Sequence, residues 1–105
     1  AAMSHHLRVL VSTLEGLRLK DAETRFLHWL LQRIPPAATG ELRVNIGITK
    51  ALLASELGTR QETLSRILAK LRDAGLLEVA RQTIVVHEAA AVRDLFERNL
   101  SGAGR

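Results

Sequence analysis

The chain contains no cysteine. That excludes disulfides, thiolate metal sites and cysteine-ligated iron–sulfur clusters within it. It also fits a reducing compartment, and the expected location is cytoplasmic. Aromatic residues are scarce, with one Trp, two Phe and no Tyr, so any core must be aliphatic. No apolar run approaches the roughly 20 residues of a membrane span, and no membrane partner is expected. The first residues lack a basic segment followed by an apolar stretch, so no signal peptide is expected either. The four histidines, His5, His6, His28 and His87, are scattered without H-x-x-x-H spacing. No glycine-rich phosphate loop follows a strand, and Ser65 beside Arg66 is not a nucleophile with a base. Asp21 and Glu23 suit a helix N-terminus better than an acid–base pair. The chain is therefore expected to be non-enzymatic, with no metal and no cofactor of its own. It has no internal repeat and no low-complexity tract.

What is present is aliphatic and basic. The 105 residues suffice for one small domain, and 47% of them are hydrophobic. The net charge is +4, a balance that suits a polyanionic partner, although solubility alone would also account for it. Its distribution is uneven. Residues 42–81 hold seven Lys/Arg against four Asp/Glu, whereas residues 82–105 hold three of each.

Ile48 to Leu71 organise the rest. Thr49 is placed to cap a first helix, with Leu52, Leu53 and Leu57 as its inner face. Gly58 breaks it. Thr59-Arg60-Gln61-Glu62 has the T-x-x-E form of a capping box and opens a second helix. At about 100° per residue, Leu64, Ile67, Leu68 and Leu71 share one side of that helix. Glu62, Ser65, Arg66 and Ala69 share the other, with Gln61 at its edge. A helix buried along one stripe and lined with small, hydrogen-bonding and charged groups along the opposite one meets the needs of a major-groove reader. An ordinary helical hairpin with a solvated face is the plainer alternative. Ala74-Gly75 then ends the helix. Leu76-Leu77-Glu78-Val79 and Thr83-Ile84-Val85-Val86 are β-favouring runs around Ala80-Arg81-Gln82. A helix-turn-helix followed at once by a short hairpin is a winged helix.

The flanks follow the same logic. In Ser4 to Leu17, residues Leu7, Leu10, Leu14 and Leu17 form a short seam with Val11 beside it. Leu17-Arg18-Leu19-Lys20 reads as a hinge. Asp21 is a good N-cap for a helix whose Ala22, Phe26, Trp29, Leu30 and Ile34 face a core. Pro35 to Gly40 form a loop. Leu42, Val44 and Ile46 alternate with Arg43 and Asn45 as in a short strand. Residues 88–99 close the domain as a helix with Ala91, Val92, Leu95, Phe96 and Leu100 on its apolar side. Residues 101–105 are expected to fray.

Thr49-Lys50, LLASELG, ETLSRIL, AGLLE and TIVV together resemble the DNA-binding domain of the CRP/FNR family of bacterial transcription regulators, and the resemblance covers nearly the whole chain. It implies an α+β, mostly α, winged helix-turn-helix. Residues 1–19 would be the end of a dimerisation helix and a hinge, 20–100 the DNA-binding domain, and 101–105 a tail. The family's sensory β-roll is not in this sequence, so the chain reads as an excised C-terminal domain. The effector and the direction of regulation are not written in it.

The resemblance also implies roles. Gln61, Glu62, Ser65 and Arg66 match positions that read base edges. Arg66 can pair bidentately with guanine, and Glu62 can accept from a cytosine amino group. Ser65 between Glu62 and Arg66, with Gln61 where the cyclic-AMP receptor has Arg, resembles the FNR and Dnr side of the family. The implied half-site is TTGAT-like within an inverted repeat. Thr49, Lys50, Arg60, Thr63 and Arg81 would bind phosphates of double-stranded DNA. Leu7, Leu10, Leu14 and Leu17 would be a homodimer seam, and RNA polymerase is a further implied partner. Two departures stand out. The wing turn lacks the glycine usual in close relatives. The family pattern also places the helix cap at Arg60, whereas the capping box places it at Thr59. A winged helix that binds protein rather than DNA is the rival reading, though the charged face of the second helix favours DNA.

Overall fold

The computed structural model describes residues 19–102. The leucine seam at Leu7, Leu10, Leu14 and Leu17 lies outside the described residues, as does the end of the tail. Among the described residues, four helices and one three-stranded sheet make an α+β, mostly helical winged helix-turn-helix. Helix α1 covers residues 19–31 and is followed by β1 (Leu42–Asn45), α2 (Lys50–Glu56), α3 (Gln61–Asp73), β2 (Leu77–Ala80), β3 (Thr83–Val86) and α4 (Ala89–Gly102).

In α1, Ala22, Phe26, Leu27, Trp29 and Leu30 are buried on one side, the four- and three-residue spacing of a core-facing helix. Leu19 and Lys20, expected in a hinge, are already helical. Asp21 is therefore not the N-cap. It lies inside the helix and pairs with Arg25 one turn on. The helix tightens at its end through i→i−3 bonds from Arg33 N to Leu30 O and Ile34 N to Leu31 O. Pro35 and Pro36 follow and cannot continue it.

The strands order β1-β3-β2, antiparallel throughout. The register sets Leu42, Val86 and Leu77 in one row and Val44, Ile84 and Val79 in another. These rows point to the core. Arg43, Val85 and Glu78 lie across from one another on the other face. The wing turn is two residues, Arg81 and Gln82, with Arg81 at φ 59°. A glycine-free turn thus forms by placing Arg81 in the left-handed region.

Glu23 was expected near a helix start, but it is 1% exposed. Its Oε2 accepts from Asn99 Nδ2 at 2.9 Å, and its Oε1 lies 3.0 Å from Lys70 Nζ. One carboxylate thus joins α1, α3 and α4. The start of α4 is fixed separately. Glu88 Oε1 accepts from Gly40 N at 2.9 Å and from Ala90 N at 3.1 Å. Arg93 donates to the carbonyls of Pro35 and Ala38. Val92 is fully buried, but Leu100, expected on the apolar side, is 53% exposed. Ser101 and Gly102 belong to α4.

Candidate nucleic-acid interface

The helix-turn-helix is set by its caps. Thr49 Oγ1 accepts from Leu52 N at 3.2 Å and starts α2 as expected. That helix is only seven residues long, too short to hold itself together without tertiary contacts. Leu53, Ala54 and Leu57 are buried, but Leu52 is 56% exposed. In a two-turn helix a third leucine next to Leu53 has no core left to enter.

Both helices of the motif end in Schellman caps. At the first, Thr59 N donates to Ala54 O and Gly58 N to Ser55 O, with Gly58 at φ 69°. At the second, Leu76 N donates to Leu71 O and Gly75 N to Arg72 O, with Gly75 at φ 77°. The first cap decides between the two expected starts of α3. Thr59 is consumed by the turn, so the N-cap falls on Arg60, without a side-chain cap bond. The capping box does not form. Glu62 stays in the first turn of α3, where a carboxylate complements the helix dipole. Lys70 and Arg72 do the same in the last turn.

Leu64, Ile67, Leu68 and Leu71 are buried along α3. Gln61, Glu62, Ser65 and Arg66 are all exposed on the faces left over, and Ala69 is half-buried beside them. A small residue at the centre of this surface lets the helix approach a partner closely. With no side-chain cap, the first backbone N–H groups of α3 also point outward and favour an anion.

Two hollows flank the helix. One, of about 190 Å³, brings Lys50 of α2 beside Ser65, Ala69 and Arg72 of α3, with Leu68 and Val79 in its lining. The other, of about 510 Å³, gathers Arg60, Thr63 and Arg66 with Thr59 and with Arg25 of α1. Of the residues singled out as phosphate contacts, Lys50, Arg60 and Arg81 are exposed and Thr63 is half-buried. Thr49 uses its oxygen as a helix cap, which leaves its hydroxyl proton for donation. Arg81 stands apart at the wing tip. Arg25 was not identified from sequence; its only local sign was the four-residue spacing from Asp21.

Among the described residues, no helix is long and apolar enough to cross a membrane. No curated protein matches the chain. Residues 24–95 match the family described as the Crp-like helix-turn-helix domain. Among solved structures, DNR from Pseudomonas aeruginosa is similar at 29% identity and a TM-score of 0.74, over 89% of this chain and 41% of that one. The catabolite activator protein of Thermus thermophilus is similar at 26% identity and a TM-score of 0.71, over 94% and 45%. A candidate cyclic nucleotide binding protein of Ruegeria pomeroyi is similar at 32% identity and a TM-score of 0.66, over 90% and 41%. The chain thus spans less than half the length of each of these structures. The family match covers the caps, the exposed face of α3 and the wing described above: this chain belongs to the Crp-like helix-turn-helix domain family, and it is a DNA-binding domain.

Proposed function

We propose that α3 reads a TTGAT-like half-site in the major groove, and that two copies of the domain together read an inverted repeat. Arg66 pairs with the guanine, Glu62 accepts from a cytosine amino group, and Ser65 and Gln61 complete the base contacts. Thr49, Lys50, Arg60, Thr63 and Arg81 hold phosphates and fix the register without reading sequence. The observation that carries this reading is the exposed face of α3. Four hydrogen-bonding side chains stand there opposite a fully apolar stripe, and Glu62 is not drawn back into a capping box.

The second copy follows from the two-fold symmetry of an inverted repeat. The leucine seam at Leu7, Leu10, Leu14 and Leu17 would supply it, as the end of a dimerisation helix that residues 1–19 continue into the domain at 20–100. RNA polymerase is a further partner in this reading, and the site of action is the cytoplasm. The domain itself needs no cofactor and performs no catalysis.

Fluorescence anisotropy with two duplexes tests the assignment. One carries the inverted TTGAT repeat, and the other has the same composition scrambled. Each is titrated at two salt concentrations. Preference for the repeat, lost in Arg66→Ala, is the expected result. Equal, salt-sensitive binding to both would remove the sequence assignment. Absence of binding at low salt would favour a protein-binding winged helix.

A further inference from the structure

The guanidinium of Arg25 reaches from α1 into the turn of the helix-turn-helix. Its Nη1 donates to Leu57 O at 2.7 Å, across 32 residues of sequence. Its Nη2 pairs with the Asp21 carboxylate one turn earlier on the same helix. The Schellman bonds at the end of α2 satisfy the carbonyls of Ala54 and Ser55. The last carbonyl of the turn, Leu57, is satisfied by Arg25 instead. A charge-assisted bond of this kind is about twice as strong as a neutral one.

The turn is shaped to admit this contact. A Cβ on Gly58 would stand 2.9 Å from Arg25 Nη1, and Gly58 has φ 69°. Glycine therefore serves both the left-handed backbone and the close approach of the guanidinium. Two residues beyond Gly58 lies Arg60, the N-cap of α3. The helix that carries the proposed base-reading side chains thus starts from a turn pinned to α1 by one guanidinium, itself held by one carboxylate.

We infer that Arg25 is a positioning residue for DNA reading: through Leu57 O and Gly58 it sets the tilt of α3 relative to α1, and Asp21 holds Arg25 in place. This inference rests on the base-reading role proposed above for α3. Bidentate contacts to a base depend steeply on angle, whereas phosphate attraction does not. Loss of the clasp should thus erode sequence preference more than overall DNA attraction.

The test compares the wild-type chain with Arg25→Met, Arg25→Lys and Asp21→Ala. Each is assayed on repeat and scrambled duplexes over a range of salt, with thermal unfolding measured in parallel. Arg25→Met is expected to lower the repeat-to-scrambled preference about tenfold, the scale of one good base contact. The slope of log affinity against log salt should stay unchanged, since Arg25 is turned to Leu57 and Asp21 rather than to a phosphate. Arg25→Lys, which keeps one donor for Leu57 O, should recover part of the preference. If Arg25→Met lowers only the unfolding midpoint, the role is confined to the fold and the inference is overturned. A salt slope smaller by about 0.9 per domain would make Arg25 a direct phosphate contact and overturn it as well. Should Arg25→Met fail to fold, Asp21→Ala decides. It keeps the guanidinium but removes its carboxylate anchor, and an undiminished preference would refute the clasp. Arg66→Ala separates the two levels. If it loses the preference while the clasp variants keep theirs, only the positioning role fails. If it too keeps the preference, the base-reading assignment fails and the positioning role falls with it.

Discussion

Arg81 adopts a backbone conformation that its own Cβ disfavours. It sits at φ 59° in a two-residue turn, and a left-handed residue other than glycine costs about 1–2 kcal/mol. Part of that strain would be returned by Arg81→Gly, less the added entropy of the unfolded glycine. The expected outcome is a rise in unfolding free energy of roughly 0.5–1 kcal/mol, read from urea titration. The same variant removes a proposed phosphate contact, so its DNA salt slope should fall by about 0.9 per domain. A stabilised protein that binds DNA less steeply with salt would show strain retained for binding. Glu88 illustrates a different residue-scale effect. Hydrogen bonds from the Gly40 and Ala90 backbones, and then the Arg93 charge, hold its carboxyl below the usual carboxylate range. A group lowered in the folded state contributes stability above its unfolded pKa, and that contribution is lost as the pH falls through its folded pKa. Glu88→Gln keeps an oxygen to accept both bonds but does not titrate. Wild type should exceed it in stability near neutrality, and urea midpoints should converge as the pH falls through the lowered folded pKa of Glu88.

At the scale of elements, α3 was the most legible part. Leu64, Ile67, Leu68 and Leu71 repeat with helical period, and all four are buried. The two β-favouring runs became β2 and β3, and the alternation from Leu42 became β1. Legibility failed where a residue's environment comes from far along the chain. Glu23 looked like a first-turn carboxylate, but its partner Asn99 lies 76 residues away. Leu52 failed for the opposite reason, since a seven-residue helix offers too little period to show which of two adjacent leucines turns inward. The capping box failed because Thr59 was already claimed by the Schellman turn. The Glu23 junction yields its own prediction. Asn99→Ala leaves a buried carboxylate with only the exposed Lys70 as partner. A hydrogen bond to a charged group is worth about 1.5–3 kcal/mol, and chemical denaturation should show a loss of that size. Glu23→Ala should lose at least as much, because it empties the junction of α1, α3 and α4.

For the whole molecule, the two hollows extend the basic surface beyond α3. Lys50 and Arg72 border one, and Arg25, Arg60 and Arg66 the other. Charge counting along the sequence located the excess between residues 42 and 81; Arg25 borders the second hollow from outside that window, but its guanidinium is engaged by Leu57 O and Asp21. The exposed face of α3 was readable from periodicity and family resemblance, whereas the clasp behind it was not, because Arg25 and Leu57 meet only in the folded chain. If Lys50, Arg60 and Arg81 each neutralise one phosphate per domain, replacing all three by glutamine should reduce the salt slope by about 2.7 per domain. Discrimination between repeat and scrambled duplexes should be nearly preserved at low salt. The central claim, that Arg66 reads the guanine of a TTGAT-like half-site, is tested most directly by a cycle pairing Arg66→Ala with replacement of that G·C pair by A·T. Wild type should lose about 1–3 kcal/mol of binding on the base change, and Arg66→Ala should be nearly indifferent to it. Equal losses in both proteins would contradict the account and assign the guanine to another side chain.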